Sequence, residues 1–440
     1  MSGIGFGSGP RAVLLATMIL AMSLSDISVL SEESSNTTAG RSDAPTLPLY
    51  RMLIGDEWLY DTQLDAEALI DPDDPEWYGA SIPQPLTGET LRVVESITEF
   101  EHLGANQTVY VVRTSGTYGG EGTFPAPVLG LVNGIIEVRF ERTEWIRLSD
   151  MATLVQETDL YIALDHLAGT ELLTDIISRW SFEPDAEFYD FPLGSHEQWT
   201  SAYLRNESWT GDKGYFSPPE KERNIERAFN VTAYSQPPIS WTGCEMAYNV
   251  SQTDAEGEPT EYRWLCPAVR GALIEWHADI ILGAPARLQL KSFAAGEPSQ
   301  NSLETLIDDD LDLDNMTLGQ PLLFTIWLND SAGSPMPGES VLVNYLNRTR
   351  NFTTDQNGSV MINISAGVQK DTTPTRYDWG SHGVVITHPS SSTHAVFTVV
   401  LNSSAIAEGI ALRVAGMEKV DGWVIGSFTL ATQFADQMRW

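Results

Sequence analysis

Cysteine and lysine are the scarce residues of this 440-residue chain: two Cys and, among 25 basic residues, only five Lys. Two thiols cannot form a structural zinc site, and Cys244 and Cys266 are too far apart in sequence for a C-x-x-C redox motif. They are a disulfide or a pair of buried thiols. Outside the N-terminal stretch no apolar run approaches the about 20 residues of a membrane span. Sixty acidic residues bring the net charge to −35, which excludes nucleic-acid binding through a basic face. The chain has no G-x-S-x-G, no H-E-x-x-H and no phosphate loop. Among so many carboxylates an acid–base pair can be drawn almost anywhere, so composition singles out no catalytic residue and implies no cofactor.

The residues that are present speak first through the cysteines. Their midpoint is Ala255, inside the turn-rich run Asp254-Ala255-Glu256-Gly257-Glu258-Pro259. A hairpin about that turn opposes Cys244 to Cys266, Met246 to Trp264 and Tyr248 to Tyr262 on one apolar face. Glu245, Asn249, Glu261 and Arg263 then face solvent, with Ala247 and Leu265 as apolar exceptions. A disulfide closing such a loop stabilises by roughly 3 kcal/mol in the chain-entropy model.

Arg11 precedes Ala12–Leu24 (AVLLATMILAMSL), a run with the length of a signal-peptide core, and Ala21, Ser23 and Ser25 offer cleavage sites before Asp26. If uncleaved, this segment is an N-terminal anchor and the expected membrane contact. Of sixteen Asn, twelve begin N-x-S/T: Asn36, Asn106, Asn206, Asn230, Asn249, Asn315, Asn329, Asn347, Asn351, Asn357, Asn363 and Asn402. Chance would place about a fifth of Asn in that pattern. Signal, sequons and disulfide together predict an extracellular or cell-surface glycoprotein. An acid-rich, Lys-poor, sequon-rich exported chain resembles surface proteins of marine or halophilic archaea.

The expected organisation is a signal peptide at 1–25, a flexible Ser/Thr/Pro-rich linker at 26–48, an antiparallel β-rich domain at 49–295, an acidic linker at 296–317, a β-sandwich at 318–403 and a β extension at 404–440. In the first domain Arg92–Leu103 and Thr108–Gly116 read as strands, as do Ala272–Leu282 and Arg287–Phe293; Ile136, Val138 and Phe140 alternate with charged residues. Leu64–Ile70 and Gly169–Trp180 read as helices, the second from Leu172, Leu173, Ile176 and Ile177. The fold class is therefore mainly β. Leu53–Tyr60 (LIGDEWLY) and Phe191–Tyr203 (FPLGSHEQWTSAY) resemble phrases of exported half-barrel domains of the lipoprotein-carrier kind, which implies a curved sheet around an apolar hollow.

In the second domain Leu322, Phe324, Ile326 and Leu328 alternate, Val341–Tyr345 comes next, and Val360, Ile362 and Ile364 face away from Asn363. Further strands are Gly383–Thr387, Ala395–Leu401, Gly409–Val414 and Trp423–Leu430. Asp330–Gly338 (DSAGSPMPG) and Thr353–Gly358 (TTDQNG) are similar to the loop motifs of bacterial-type immunoglobulin-like domains of the invasin or carboxypeptidase-regulatory kind. The resemblance implies a sandwich acting as spacer, stalk or adhesive module, and no catalytic residue.

Asp310, Asp312 and Asp314 have calcium-loop spacing, but Asn315 stands where the turn glycine belongs and Pro321 where the closing Glu belongs. A solvated linker is the reading. His382, His388 and His394 recur every six residues without matching a ligand pattern, and His277 sits among apolar residues as a structural histidine. Nine tryptophans between Trp58 and Trp276 read as core packing rather than a sugar or lipid groove. The chain is thus expected to be a non-enzymatic exported glycoprotein with a structural or binding role toward an envelope or extracellular partner, without metal or cofactor. The alternatives are a carrier or sensor of a lipid or other apolar ligand, and an extracellular hydrolase.

Overall fold

Along Glu57–Leu64 (β1) Trp58, Tyr60, Thr62 and Leu64 are buried, while Glu57, Asp61 and Gln63 are exposed. That period of two gives a strand one wet and one buried face, and eleven further strands follow it, several with bulges that interrupt the alternation. These are Leu86–His102 (β2), Ala105–Ala126 (β3), Gly130–Arg147 (β4), Thr153–His166 (β5), Gly169–Ala186 (β6), Gln198–Asp212 (β7), Lys221–Ser235 (β8), Ala247–Thr253 (β9), Pro259–Cys266 (β10), Gly271–Ile281 (β11) and Ala284–Ala294 (β12). In the computed structural model each pairs antiparallel with its neighbour in sequence. β12 then pairs with β1, so the sheet closes into a twelve-stranded barrel. The structure describes Leu47 and residues 49–70, 77–126, 130–212, 221–253, 259–281, 284–297, 300–308, 310–317, 319–345, 348–366, 380–391, 393–401, 414–420 and 423–428. The expected signal peptide and almost all of the flexible linker lie outside these residues, as do Asn36, Asn347 and Asn402.

Closure corrects the half-barrel expectation. An open sheet would leave β1 and β12 as unpaired edges, whereas Glu57 to Leu64 pair with Ala294 to Ala286 across the seam. Both helix expectations are also corrected. Ala66–Leu69 is a single 3₁₀ turn. Gly169–Trp180 belongs to β6, where Leu172 and Ile177 are exposed and Leu173 and Ile176 are buried. A register shift between Ile162 and Ala163 on the paired β5 breaks the alternation of β6 and mimics helical spacing.

The disulfide between Cys244 and Cys266 forms, with Cα atoms 5.9 Å apart. The hairpin register around it differs from the symmetrical one. Tyr248 faces Leu265, Asn249 faces Trp264 and Val250 faces Arg263, a displacement of three residues. An odd displacement exchanges the two faces of a strand. Cys244 lies in the turn before β9, Met246 is exposed, and Glu261, Arg263 and Leu265 turn into the barrel. The turn at 254–258 is outside the described residues.

A second set of strands comes after the barrel: Ser302–Ile307 (β13), Pro321–Asn329 (β14), Ser340–Tyr345 (β15), Arg348–Thr353 (β16), Ser359–Ser365 (β17), Gly380–His388 (β18) and Thr393–Leu401 (β19). One sheet has the order β13-β14-β17 and the other β16-β15-β18-β19. Leu322, Phe324, Ile326 and Leu328 of the first share a core with Val341, Val343, Val384 and Ile386 of the second. The two loop motifs act through their side chains. Asp330 Oδ1 accepts the Ala332 and Ser334 amides, and Asp355 Oδ1 accepts those of Asn357 and Ser359. Thr354 Oγ1 donates to Met336 O at 2.7 Å and accepts the Glu339 amide at 2.9 Å, tying one loop to the other.

This two-sheet region rests on the barrel. Tyr110 OH lies 2.9 Å from His394 Nε2, Thr349 Oγ1 donates to Asn106 O at 2.9 Å, and Val385 joins the barrel's core. A Cβ at Gly383 would stand 1.9 Å from Ser149 O, so only glycine lets the two backbones approach there. Beyond it Val414–Val420 (β20) and Trp423–Phe428 (β21) pair as a hairpin. The first begins where the expected strand Gly409–Val414 ended; residues 409–413 and 429–430 are outside the described ones.

Candidate functional site

The barrel lumen changes character along its length. At one end Leu64, Leu86, Ile136, Val138, Ile162, Leu164 and Leu288, all buried, fill it. Thr62 Oγ1 and Thr90 Oγ1 lie 2.7 Å apart, and Thr90 Oγ1 lies 2.7 Å from Tyr118 OH, a chain of buried hydroxyls across β1, β2 and β3. The barrel also holds a cavity of about 160 Å³, lined by other residues than these.

Its walls combine aromatic rings with charge. Trp58, Trp180, Phe182, Phe188, Tyr189 and Tyr203 line it together with six arginines, Arg92, Arg142, Arg205, Arg227, Arg263 and Arg270. Three carboxylates, Glu144, Glu261 and Glu275, and His277 share the lining. In a chain of net charge −35, six of the twenty arginines line this one cavity. Glycine makes part of the room: a Cβ at Gly271 would lie 2.8 Å from Trp58 Nε1, which donates to Val269 O at 2.7 Å.

The charges are organised into two groups. In the first, Arg92 Nη1 and Nη2 donate to the two oxygens of Glu275 at 2.8 and 3.3 Å, and His277 Nε2 lies 2.7 Å from Glu275 Oε2. Burial alone would raise the Glu275 carboxyl, but Arg92, His277 and Arg263 outweigh it and hold the group well below the usual carboxylate range. In the second, Arg205 Nε donates to Glu207 Oε1 at 2.7 Å, and Arg223 Nε lies 3.1 Å from the same oxygen. Arg227 reaches Glu261 only at 4.0 Å. Arg263 donates to the Tyr189 hydroxyl at 2.9 Å and makes no ion pair within 4.0 Å among the described residues. Burial disfavours its charge, yet Tyr189, Glu275 and Glu261 more than offset that and raise its pKa. Arg205 lies 4.2 Å over the Trp180 ring, and Arg227 and Arg263 lie 6.0 and 5.4 Å from the Phe188 ring.

Phe188 and Tyr189 belong to the connection from β6 to β7, which also packs Phe191 edge-on against Tyr50 and bonds Leu193 to Leu47. Further along it Glu197 Oε2 accepts the Gly194 amide at 2.5 Å. Burial raises the Glu197 carboxyl to about 7, against the Gly194 bond and with help from Asp190. Its folded pKa lies above the ordinary 4.5. Its contribution to stability is therefore complete below pH 4.5 and is lost as pH rises through about 7. Glu197→Gln should then gain on the wild type between pH 4.5 and about 7.5. Urea midpoints at the two pH values check this, and an equal difference at both would contradict it.

The sequence-derived site residues fall elsewhere. Asn106, Asn315, Asn351, Asn357 and Asn363 are exposed, and Asn206, Asn230, Asn249 and Asn329 are half-buried. The acidic run serves its own backbone: Asp308 Oδ1 accepts the Asp310 amide and Asp312 Oδ1 that of Asp314, each at 3.2 Å. Asp309 is outside the described residues. His388 lies 2.6 Å from Ser391 Oγ and 3.3 Å from Glu339, and His394 is at the Tyr110 contact. Among the described residues no three His, Cys, Asp or Glu gather as a metal site. The sequence marks His277 only as a structural histidine, and the arginines not at all. The available signal was a set of charged residues at alternate positions of otherwise apolar strands, such as Arg142, Glu144 and Arg263.

No protein-family model matches the chain, and no curated protein matches it. Among solved structures it is similar to a β-barrel-like protein of a domain of unknown function, DUF1849, from Brucella abortus, with 10% identity and a TM-score of 0.28 over 56% of this chain and the whole of that one, a likeness too distant to carry fold or function.

Proposed function

We propose that this chain is a non-enzymatic, exported cell-surface glycoprotein whose barrel is a small-molecule-binding module. The observation that carries this reading is the cavity of about 160 Å³ inside a closed barrel, walled by aromatic rings and six arginines. Concave sites lined by aromatic side chains and a few converging polar groups are the usual form of a ligand pocket. Binding is favoured over hydrolysis because Glu275 is tied to Arg92 and His277 and held ionised, which removes it as a general acid. The region of β13 to β19, with its two sheets and Asp-anchored loops, is read as an immunoglobulin-like spacer that presents the barrel. The N-terminal export signal and the twelve sequons support the extracellular placement.

Native mass spectrometry of the protein purified from the cells that export it tests this reading. The expected result is a non-covalent adduct of one small molecule per chain that is lost on denaturation. A chain carrying glycans alone, with no such adduct, would contradict it.

A further inference from the structure

The second charge group of the lumen is unbalanced. Arg205, Arg227 and Arg263 line the cavity from β7, β8 and β10; Arg205 shares Glu207 with the exposed Arg223, which stands outside the cavity lining, and Arg227 faces Glu261. One oxygen of Glu207 serves two arginines, Glu261 stands 4.0 Å from Arg227, and Arg263 bonds a neutral phenol. Of these three lumen guanidinium groups only Arg205 has a carboxylate in close contact, and all three lie beside flat rings: Phe188 under Arg227 and Arg263, and Trp180 under Arg205. A guanidinium fork matches a carboxylate in geometry and charge, and shedding water from both strengthens the contact. The size of the cavity limits the body of the ligand beyond its head group. About 160 Å³ is the scale that accommodates a benzene ring, and the far end of the lumen is filled by Leu64, Leu86, Ile136 and Leu164. An acyl chain has no room there.

We propose that the lumen takes a small aromatic carboxylic acid, its carboxylate between Arg227 and Arg263 and its ring against Phe188 and Trp180. This rests on the reading of the lumen as a ligand site and narrows it from small molecules in general to compact organic anions. Arg263 is the specificity-determining residue, since its neutral partner leaves it most able to engage an incoming carboxylate.

Isothermal titration of the full-length exported protein tests the proposal with benzoate, its neutral isostere benzamide, inorganic phosphate and dodecanoate as probes. Benzoate is expected to bind one per chain, with benzamide at least about tenfold weaker, and Arg263→Gln should weaken benzoate by about ten- to a hundredfold while leaving benzamide unchanged. Arg263→Lys, which keeps the charge but loses the fork, should recover part of the loss. If Arg263→Gln fails to fold, Arg227→Gln carries the same expectation. Equal affinity for benzoate and benzamide, or an unchanged benzoate affinity in a folded variant, would overturn the proposal. So would phosphate binding as tightly as benzoate, which would leave an anion site with no role for the rings. Dodecanoate binding without benzoate binding overturns the compact-anion inference but keeps the lumen as a ligand site. Failure of every probe, together with no adduct in the native mass spectrum, overturns both.

Discussion

Replacing Asp56 by alanine should destabilise the protein by about 3–5 kcal/mol, the cost typical of leaving a buried ion pair half-made. Asp56 is fully buried just before β1 and gathers the barrel's closure onto one carboxylate. It accepts the Leu53 amide at 2.7 Å, the Gly296 amide at 2.8 Å and Arg270 Nε at 2.8 Å, with a second bond from Arg270 Nη2. Gly296 lies just past β12 and Arg270 sits between β10 and β11, so these bonds hold the last three strands to the first. Alanine leaves the guanidinium, itself 22% exposed, without its carboxylate and leaves two amides without their acceptor at a fully buried position. Urea unfolding followed by circular dichroism measures the loss. A change below about 1 kcal/mol would show that strand pairing alone closes the barrel.

Glu275→Gln should cost about 3 kcal/mol, the lower end of the range for breaking a buried pair. Its side chain is 3% exposed, but that of Arg92 keeps 26% accessible through the cavity, which softens the penalty. Replacing both partners, Arg92→Leu with Glu275→Leu, should recover most of that loss, because the cost comes from the uncompensated charge. The pH dependence has a definite sign. The folded state holds the Glu275 carboxyl below its ordinary 4.5, so its contribution is present above that value and is lost as pH falls through the folded pKa. Glu275→Gln should therefore show a shallower fall in stability below pH 4.5 than the wild type. An acid limb of unchanged slope would contradict the assignment.

The mainly β character of the chain was legible because alternation survives in strands with one wet face, such as Leu322–Leu328 and Ile136–Phe140. The disulfide was legible from two cysteines flanking a turn. The face of that hairpin was not, because a displacement of three residues is invisible when the turn itself has several residues able to reverse the chain. That displacement alone moves Glu261 and Arg263 from solvent to the lumen. The β6 strand was unreadable for a related reason: its apolar residues fall on both faces, and only pairing with β5 and β7 selects the extended form. Closure depends on the β1–β12 contact between residues more than two hundred positions apart, which local pattern cannot encode. The site inherits this difficulty, since its arginines come from β2, β4, β7, β8, β10 and the turn before β11 and meet only after closure.

The lumen and its ligand site both require that β1 and β12 close the barrel. Gln63 and Arg287 are paired across that seam, with exposed side chains. In an antiparallel pair their Cα atoms lie roughly 4.5–5.5 Å apart. The variant carrying Gln63→Cys and Arg287→Cys, treated with a short thiol-to-thiol cross-linker and digested, should yield one peptide pair joining the two strands in high yield. Cysteines that react singly and do not join would contradict closure and return the domain to an open half-barrel.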